Sequence, residues 1–201
     1  MTVRGVLWDV GNVIVRWDPR TLYAKIFPDP DERDRFLAEV CTMDWHGEHD
    51  RGRPFDESVA ELTAQHPQYA EAIAAWRDRW WEMFSGAIPE TEAAIEALHA
   101  RGVPQFGLTN MSLETWDGTR AMSGAFGRLT DVVVSAAERC IKPDVRIFEI
   151  AQTRAGMAAG ELLFVDDSSA NIEAARRLGF AVHHFVEPAA LRPALKAHGL
   201  L

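Results

Sequence analysis

Short apolar runs alternate with amphipathic segments along most of this chain. Five runs have the length and composition of buried strands; they are Val3–Trp8, Val103–Leu108, Val132–Val134, Leu162–Val165 and Ala181–Val186. Helical spacing occurs between the later runs, as in Glu90–His99, where Ala94, Ile95 and Leu98 share one face. This alternation predicts an α/β fold with a three-layer, Rossmann-like parallel-sheet core.

A long stretch after the first strand breaks the alternation. From about residue 18 to residue 85 the pattern is helical only, and turn-forming residues such as Pro28-Asp29-Pro30 separate the segments. The predicted helices are Arg20–Phe27, Glu32–Cys41, Phe55–Gln65 and Gln68–Phe84. We therefore expect residues 1–17 and 86–201 to form the α/β core domain. Residues 18–85, called the insert below, are expected to form an all-helical, four-helix bundle.

Composition narrows the classes of function. The 201 residues carry a net charge of −9 and are 47% apolar, which is typical of a globular protein and argues against broad nucleic-acid binding. No apolar run approaches the roughly 20 residues that span a bilayer, so we expect no membrane partner. The first residues lack the apolar segment of a signal peptide, and the chain contains only two cysteines. We expect a cytoplasmic protein, and its oligomeric state stays open.

Polar residues with complementary chemistry stand at or just beyond the ends of four predicted strands. They are Asp9, Thr109, Asn110, Lys142, Asp166 and Asp167, with Asn171 one helical turn further on. Because ligands bind at the carboxyl ends of parallel strands, we expect these side chains to converge at one edge of the sheet. The carboxylates suit a hard cation such as Mg²⁺, and the lysine and the threonine suit phosphate oxygens. One carboxylate is left to attack phosphorus, so the set predicts phosphoryl transfer.

Taken in order, these segments resemble the four sequence motifs of the haloacid dehalogenase (HAD) superfamily, and the insert stands where that family carries its C1 cap. The resemblance covers nearly the whole chain. It implies that Asp9 is the nucleophile and that Thr109 and Lys142 are further catalytic residues. It implies substrate binding by Thr109, Lys142 and the backbone N–H of Asn110. It also implies a Mg²⁺ site, whose ligands would be Asp9, the Gly11 carbonyl, Asp166 and Asp167.

One position departs from the pattern of the phosphatases in that family. Those enzymes usually carry a second Asp two residues after the nucleophile, which protonates the leaving alcohol and later activates water, and here that position is Gly11. The sequence around Asp9 is similar to a bacterial subgroup that includes hexose 1-phosphate phosphatases, some of which share the glycine. His46 or Glu48 of the insert would be substitutes for the missing acid. The interpretation we favour for the segment Trp45–His49 is a solvated polar loop.

Three hypotheses about function follow. The first is a Mg²⁺-dependent phosphate-monoester hydrolase that acts on a small phosphorylated metabolite, such as a sugar phosphate, through an aspartyl-phosphate on Asp9. The second is a 2-haloacid dehalogenase, in which Asp9 attacks carbon without a metal; the adjacent Asp166 and Asp167 argue for a metal instead. The third is a non-catalytic binding module, which only Gly11 supports. Metal dependence separates the first two, and trapping phosphate on Asp9 would argue against the third.

Overall fold

The computed structural model describes residues 2–201. Its strands are β1 (Gly5–Trp8), β2 (Val15–Trp17), β3 (Phe84–Ala87), β4 (Gln105–Thr109), β5 (Asp131–Val134), β6 (Leu162–Asp166) and β7 (Ala181–His184). Five strands form one parallel sheet in the order β5-β4-β1-β6-β7, whereas β2 and β3 form a separate antiparallel pair. The sequence predicts all five strands of the main sheet, and the α/β fold is confirmed.

Helices cover both faces of this sheet. The α-helices are α1 (Pro19–Tyr23), α2 (Pro30–Glu39), α3 (Met43–Asp50), α4 (Phe55–Gln65), α5 (Ala70–Asp78), α6 (Pro89–Ala100), α7 (Leu113–Arg120), α8 (Ser135–Glu138), α9 (Val145–Ala155), α10 (Ser169–Arg177) and α11 (Pro188–Ala197). Buried side chains of α6 and α11 pack on one face, and those of α9 and α10 pack on the other. Val6 and Trp8 of β1 enter the first core and Leu7 enters the second, because successive side chains of a strand point to opposite faces.

The strand register brings the polar strand ends to one edge. β1 lies at the centre of the sheet, where Trp8 pairs with Gly107 of β4 and with Val165 of β6. Asp9 directly follows β1, and Thr109 and Asp166 are the last residues of β4 and β6. Since the strands are parallel, these residues all reach the edge of the sheet at which open α/β folds bind ligands.

The insert, between β1 and β4, has a separate apolar core. Aromatic side chains dominate this core, and Tyr23, Phe36, Phe55 and Trp76 are almost completely buried in it. The chain passes from the main sheet to the insert through β2 and returns through β3. The helical insert that the sequence predicts is therefore present, and an antiparallel strand pair joins it to the sheet.

The insert departs from the expected four-helix bundle in three details. It contains a fifth helix, α3, in a segment expected to be a loop. The expected helix Gln68–Phe84 is interrupted, because 3-10 turns flank α5. The insert is also not entirely helical, since pairing with β2 extends the backbone from Phe84 onward. β3 runs across the second expected domain boundary, and the division into 18–85 and the remainder stays a prediction.

No helix within residues 2–201 is both long enough and apolar enough to cross a bilayer. Both cysteines, Cys41 in the insert and Cys140 after α8, are buried and carry free thiols.

Candidate active site

A buried lysine joins the ends of the two central strands. The Nζ atom of Lys142 lies 2.7 Å from Oδ1 of Asp9 and 2.7 Å from Oδ2 of Asp166. All three residues are less than a tenth exposed. Charged groups are buried at low cost only when they are paired and hydrogen-bonded, and each carboxylate here has the same ammonium as a partner.

The side chain of Asn110 holds the backbone of Lys142. Its Nδ2 donates to the Lys142 carbonyl oxygen at 3.0 Å, and its Oδ1 accepts from the Lys142 N–H at 2.8 Å. The Lys142–Pro143 peptide bond beside this contact is cis. From the sequence we expect only the backbone N–H of Asn110 to bind the substrate, and that role stays a prediction. The side-chain contact went unpredicted, since no local pattern links residues 32 positions apart.

Asp166 is fixed from the other side by the start of α10. Nδ2 of Asn171 donates to both carboxylate oxygens, at 3.0 and 3.1 Å, and the Ser168 N–H donates to Oδ1 at 2.8 Å. Asn171 reaches back because it stands one helical turn after the end of β6. Its side chain therefore orients Asp166, and the carboxylate has a single defined position.

Like charges and burial set the electrostatics of the site. Burial raises the pKa of Asp9 to about 8, with Lys142 opposing this shift and Asp166 and Asp167 adding to it. Burial also raises the pKa of Asp167, and Asp166 reinforces that effect. For Lys142, burial alone would lower the pKa, but the two neighbouring carboxylates outweigh it and the pKa is raised. Additional positive charge at this position would therefore stabilise the ionised carboxylates.

The three acidic side chains fit a divalent cation. Carboxylate oxygens of Asp9, Asp166 and Asp167 all lie within 4.8 Å of one another. The donors are all oxygen, which is the ligand type of Mg²⁺ and Ca²⁺. The residues expected to bind Mg²⁺ are thus brought together, and Gly11 lines the same cavity. Metal binding by the Gly11 carbonyl stays a prediction.

A cavity of about 300 Å³ lies over these groups, between the sheet and the insert. Its walls from the α/β core include Asp9, Gly11, Asn12, Thr109, Asn110, Met111, Lys142, Asp167 and Asn171. The other walls of the cavity come from the insert and its two connections, and they are formed by Trp17, Met43, His46, Asp50 and Phe84. The Oγ1 of Thr109 is 3.5 Å from the Asn110 carbonyl oxygen, at the limit of a hydrogen bond, so this hydroxyl is available to a ligand.

The segment Trp45–His49 is the clearest error of the sequence analysis. It is part of α3 rather than a solvated loop, and His46 is buried and faces the cavity. Glu48, the other candidate acid, instead forms an ion pair with Arg53. Asp50, the last residue of α3, lines the cavity and was missed, because nothing in the local sequence distinguishes it from a surface aspartate.

Comparison with known proteins identifies the family. The sequence model of the haloacid dehalogenase-like hydrolases matches residues 3–179, which is most of the chain. The chain is a HAD-like hydrolase. The resemblance to this superfamily is therefore confirmed, and this HAD-like hydrolase is an enzyme. The bacterial subgroup suggested by the sequence around Asp9 stays a prediction.

Relatives of this HAD-like hydrolase include both phosphatases and dehalogenases. A sesquiterpene phosphatase of Aspergillus oryzae is 23% identical over 190 residues, covering 92% of this chain and 91% of the relative. A HAD family enzyme of Bacteroides thetaiotaomicron, solved with magnesium and inorganic phosphate, superposes with a TM-score of 0.66 at 18% identity, covering 90% and 93% of the two chains. An L-2-haloacid dehalogenase of Xanthobacter autotrophicus, solved with covalently bound chloropropionic acid, gives 0.64 at 14% identity, covering 100% and 85%. At these identities the solved structures establish the shared fold alone.

Proposed function

We propose that this HAD-like hydrolase is a Mg²⁺-dependent phosphate-monoester hydrolase. The observation that supports this most strongly is the group at the carboxyl edge of the sheet, in which Lys142 and two buried carboxylates lie beside the half-buried Asp167. An ammonium and a site for a divalent cation flank Asp9, which suits a doubly charged phosphate far better than a neutral carbon centre. The substrate class is a small phosphorylated metabolite.

The residues divide the reaction between them. A carboxylate oxygen of Asp9 attacks phosphorus and the alcohol departs, which leaves a phosphorylated Asp9 that water then hydrolyses. Lys142 and the Thr109 hydroxyl hold the non-bridging oxygens, together with the backbone N–H of Asn110. When bound by Asp9, the Gly11 carbonyl, Asp166 and Asp167, Mg²⁺ supplies positive charge to the phosphoryl group. The insert keeps bulk water out of the cavity.

The leaving alcohol has room on the insert side. A second cavity of about 490 Å³ shares Asn12, Trp17 and Met43 with the first. Its walls combine apolar side chains of the insert, such as Leu37 and Trp76, with the charged Arg20 and Asp34. We infer that the leaving group extends into this space, which has both apolar and polar contacts to offer it.

Although dehalogenases are among the relatives, two relatives support the phosphatase. The Aspergillus relative, which this chain covers almost completely, is a phosphatase, and the Bacteroides enzyme binds magnesium together with phosphate. A screen of phosphate monoesters with Mg²⁺, run beside a screen of 2-haloacids for halide release, tests the proposal. Halide release without phosphate release would contradict it.

Asp9→Asn provides the sharpest test. The amide has nearly the shape of the carboxylate but is a far poorer nucleophile, so we expect a folded protein with less than about a tenth of the wild-type phosphatase rate. Acid-quenched wild type should carry one phosphate that the variant lacks, which mass spectrometry detects. Asp117→Asn, the same change at an exposed position of α7, should keep the wild-type rate. An active Asp9→Asn protein, shown free of deamidation, would refute the assignment.

A further inference from the structure

Among residues 2–201, the core side of the cavity offers no acid that is free to give a proton to the leaving alcohol. Lys142 is held by Asp9 and Asp166, and the acidic residues of the core are those proposed to hold the cation. At position 11, an ideal Cβ atom added to the glycine would have no atom within 4 Å. The space beside the phosphate site is therefore open, and an acid must come from the insert.

Asp50 occupies the opposite wall of the same cavity. Its side chain is buried, and its Oδ1 has no hydrogen-bond partner among residues 2–201. Its Oδ2 lies 3.6 Å from Nε2 of His46, which is beyond an ordinary hydrogen bond. A buried polar atom without a partner is costly in a folded protein, and because Asp50 lines the cavity, a ligand bound there can supply the partner.

Asp50 is also held in place by the core. The Oγ of Ser135, at the start of α8, donates to the backbone carbonyl of Asp50 at 2.7 Å. The same Oγ accepts from the N–H of Met111, which follows the phosphate-binding end of β4. The position of Asp50 is thus set relative to Thr109 and Asn110, although it belongs to the insert.

The protonation states favour Asp50 over His46 as the acid. Burial raises the pKa of Asp50 to about 7, although Lys142 and Arg51 lower it. Near neutral pH this carboxyl group can both give and take a proton. Burial lowers the pKa of His46 to about 4, so its ring is neutral at pH 7 and is a poor acid.

We propose that Asp50 is the general acid and base of this enzyme, acting from the insert in place of a carboxylate at position 11. This inference rests on the phosphatase function proposed above. In the first step the bond from Asp9 to phosphorus forms, the bond from phosphorus to the alcohol oxygen breaks, and the Asp50 carboxyl proton passes to that oxygen. In the second step water bonds to phosphorus, its proton passes to the Asp50 carboxylate, and the bond to Asp9 breaks.

Asp50→Asn tests this role through the leaving group. Each protein is mixed with p-nitrophenyl phosphate or with a primary alkyl phosphate, with Mg²⁺ present, and the rate of the first chemical step is measured. The nitrophenolate departs without a proton, so its first step should change only a few-fold. The alkyl ester should slow by about 10²–10⁴-fold, the usual contribution of a general acid. Phosphorylated Asp9 should accumulate with the aryl ester, because the variant also lacks the base for the second step.

Three further variants make the outcome specific. Asp44→Asn, at an exposed position of the same helix, should leave both rates unchanged. Gly11→Asp combined with Asp50→Asn should recover at least tenfold of the alkyl rate, because the space at position 11 is open. Asp50→Ser removes the same carboxyl group and should show the same split if Asp50→Asn does not fold.

The possible failures are distinguishable. If wild type hydrolyses none of the esters, the proposed function itself fails. If wild type hydrolyses both, and Asp50→Asn slows both equally or neither, the acid role of Asp50 is overturned while the phosphatase stands.

Discussion

At the scale of single residues, one ammonium faces three carboxylates. If Asp9, Asp166 and Asp167 were all ionised, Lys142 would leave two negative charges uncompensated in a buried site. Burial raises the pKa of both Asp9 and Asp167, and the neighbouring carboxylates raise both further. A divalent cation carries the missing charge, so binding it should release a proton from the site.

Metal removal should therefore abolish turnover. We expect no phosphatase activity in excess EDTA and full recovery when Mg²⁺ is added back. Asp167→Asn should raise the Mg²⁺ concentration for half-maximal rate at least tenfold, because even groups that only orient a metal ligand are worth about 10–100-fold in affinity. Asp167 is half-buried, so this change should perturb the fold less than a change at the fully buried Asp166. Full activity in EDTA would instead favour the dehalogenase chemistry.

A site residue could be predicted from the sequence when it lies at the end of an apolar strand, and could not when its role depends on contacts between loops. Asp9, Thr109 and Asp166 mark the ends of apolar runs, and the geometry of a parallel sheet makes such ends converge. The two hydrogen bonds between the Asn110 side chain and the Lys142 backbone could not be predicted in this way. They depend on the packing of two loops that are distant in sequence, and neither loop has a periodic pattern.

At the scale of secondary-structure elements, α3 is the helix of the insert that the sequence does not predict. The segment Met43–Asp50 does not predict a helix, because Gly47 lies at its centre and its apolar residues do not repeat at helical spacing. Its helix is instead stabilised by tertiary contacts and by Thr42, whose side chain caps the first turn at the Trp45 N–H. The five sheet strands were predictable because burial on both faces leaves continuous apolar runs.

The contact between α3 and α4 should make the protein sensitive to acid. His49 is fully buried, its Nε2 lies 2.9 Å from the Ser58 Oγ, and its ring stacks on Phe55 at 4.1 Å between centroids. Burial lowers its pKa to about 3, with the positive charges of His46 and Arg53 adding to the effect. The unfolded chain binds a proton on this residue below pH 6.5 and the folded chain does not. The stabilisation is therefore present above that pH and is lost as the pH falls.

His49→Gln, which keeps a polar group near Ser58, should remove this dependence. Between pH 7 and pH 5 the free energy of unfolding of wild type should fall by about 2 kcal/mol more than that of the variant. The difference between the proteins is the relevant quantity, because the raised pKa of Asp50 acts in the opposite sense. His99→Gln, at an exposed position of α6, is the control. Parallel curves for wild type and His49→Gln would show that His49 is not buried in a neutral form.

At the scale of the whole molecule, we expect the activity to depend on the packing of the insert against the sheet domain. Hydrogen bonds between them include one that Ser135 donates to the Asp50 carbonyl and one that Glu114 accepts from the Phe55 N–H at 3.0 Å. The aromatic ring of Trp81 covers Gly118 of α7, where no side chain would fit without a shift. The first of these contacts involves Asp50, which lines the cavity, so the packing of the insert on the sheet domain also places Asp50.

Gly52 offers a direct measure of that closed arrangement. It follows α3 with a φ of +92°, and a Cβ atom there would lie 2.8 Å from the backbone oxygen of Ala136 in α8. Gly86 has a similar φ of +104° but no atom within 4 Å of an added Cβ. Alanine at either position carries the cost of a left-handed backbone, whereas only Gly52→Ala also forces the insert away from α8.

We therefore expect Gly52→Ala to lower the free energy of unfolding by about 1–3 kcal/mol more than Gly86→Ala, the range typical of overpacking. Urea titrations followed by circular dichroism and by tryptophan fluorescence measure both proteins, and coincident transitions justify comparing them as two-state systems. The first chemical step with a primary alkyl phosphate should also slow in Gly52→Ala, because Asp50 moves with α3. Equal losses of stability at the two glycines would mean that the insert does not rest on α8 in solution, and the wall opposite Asp9 would then have to be formed only when substrate binds.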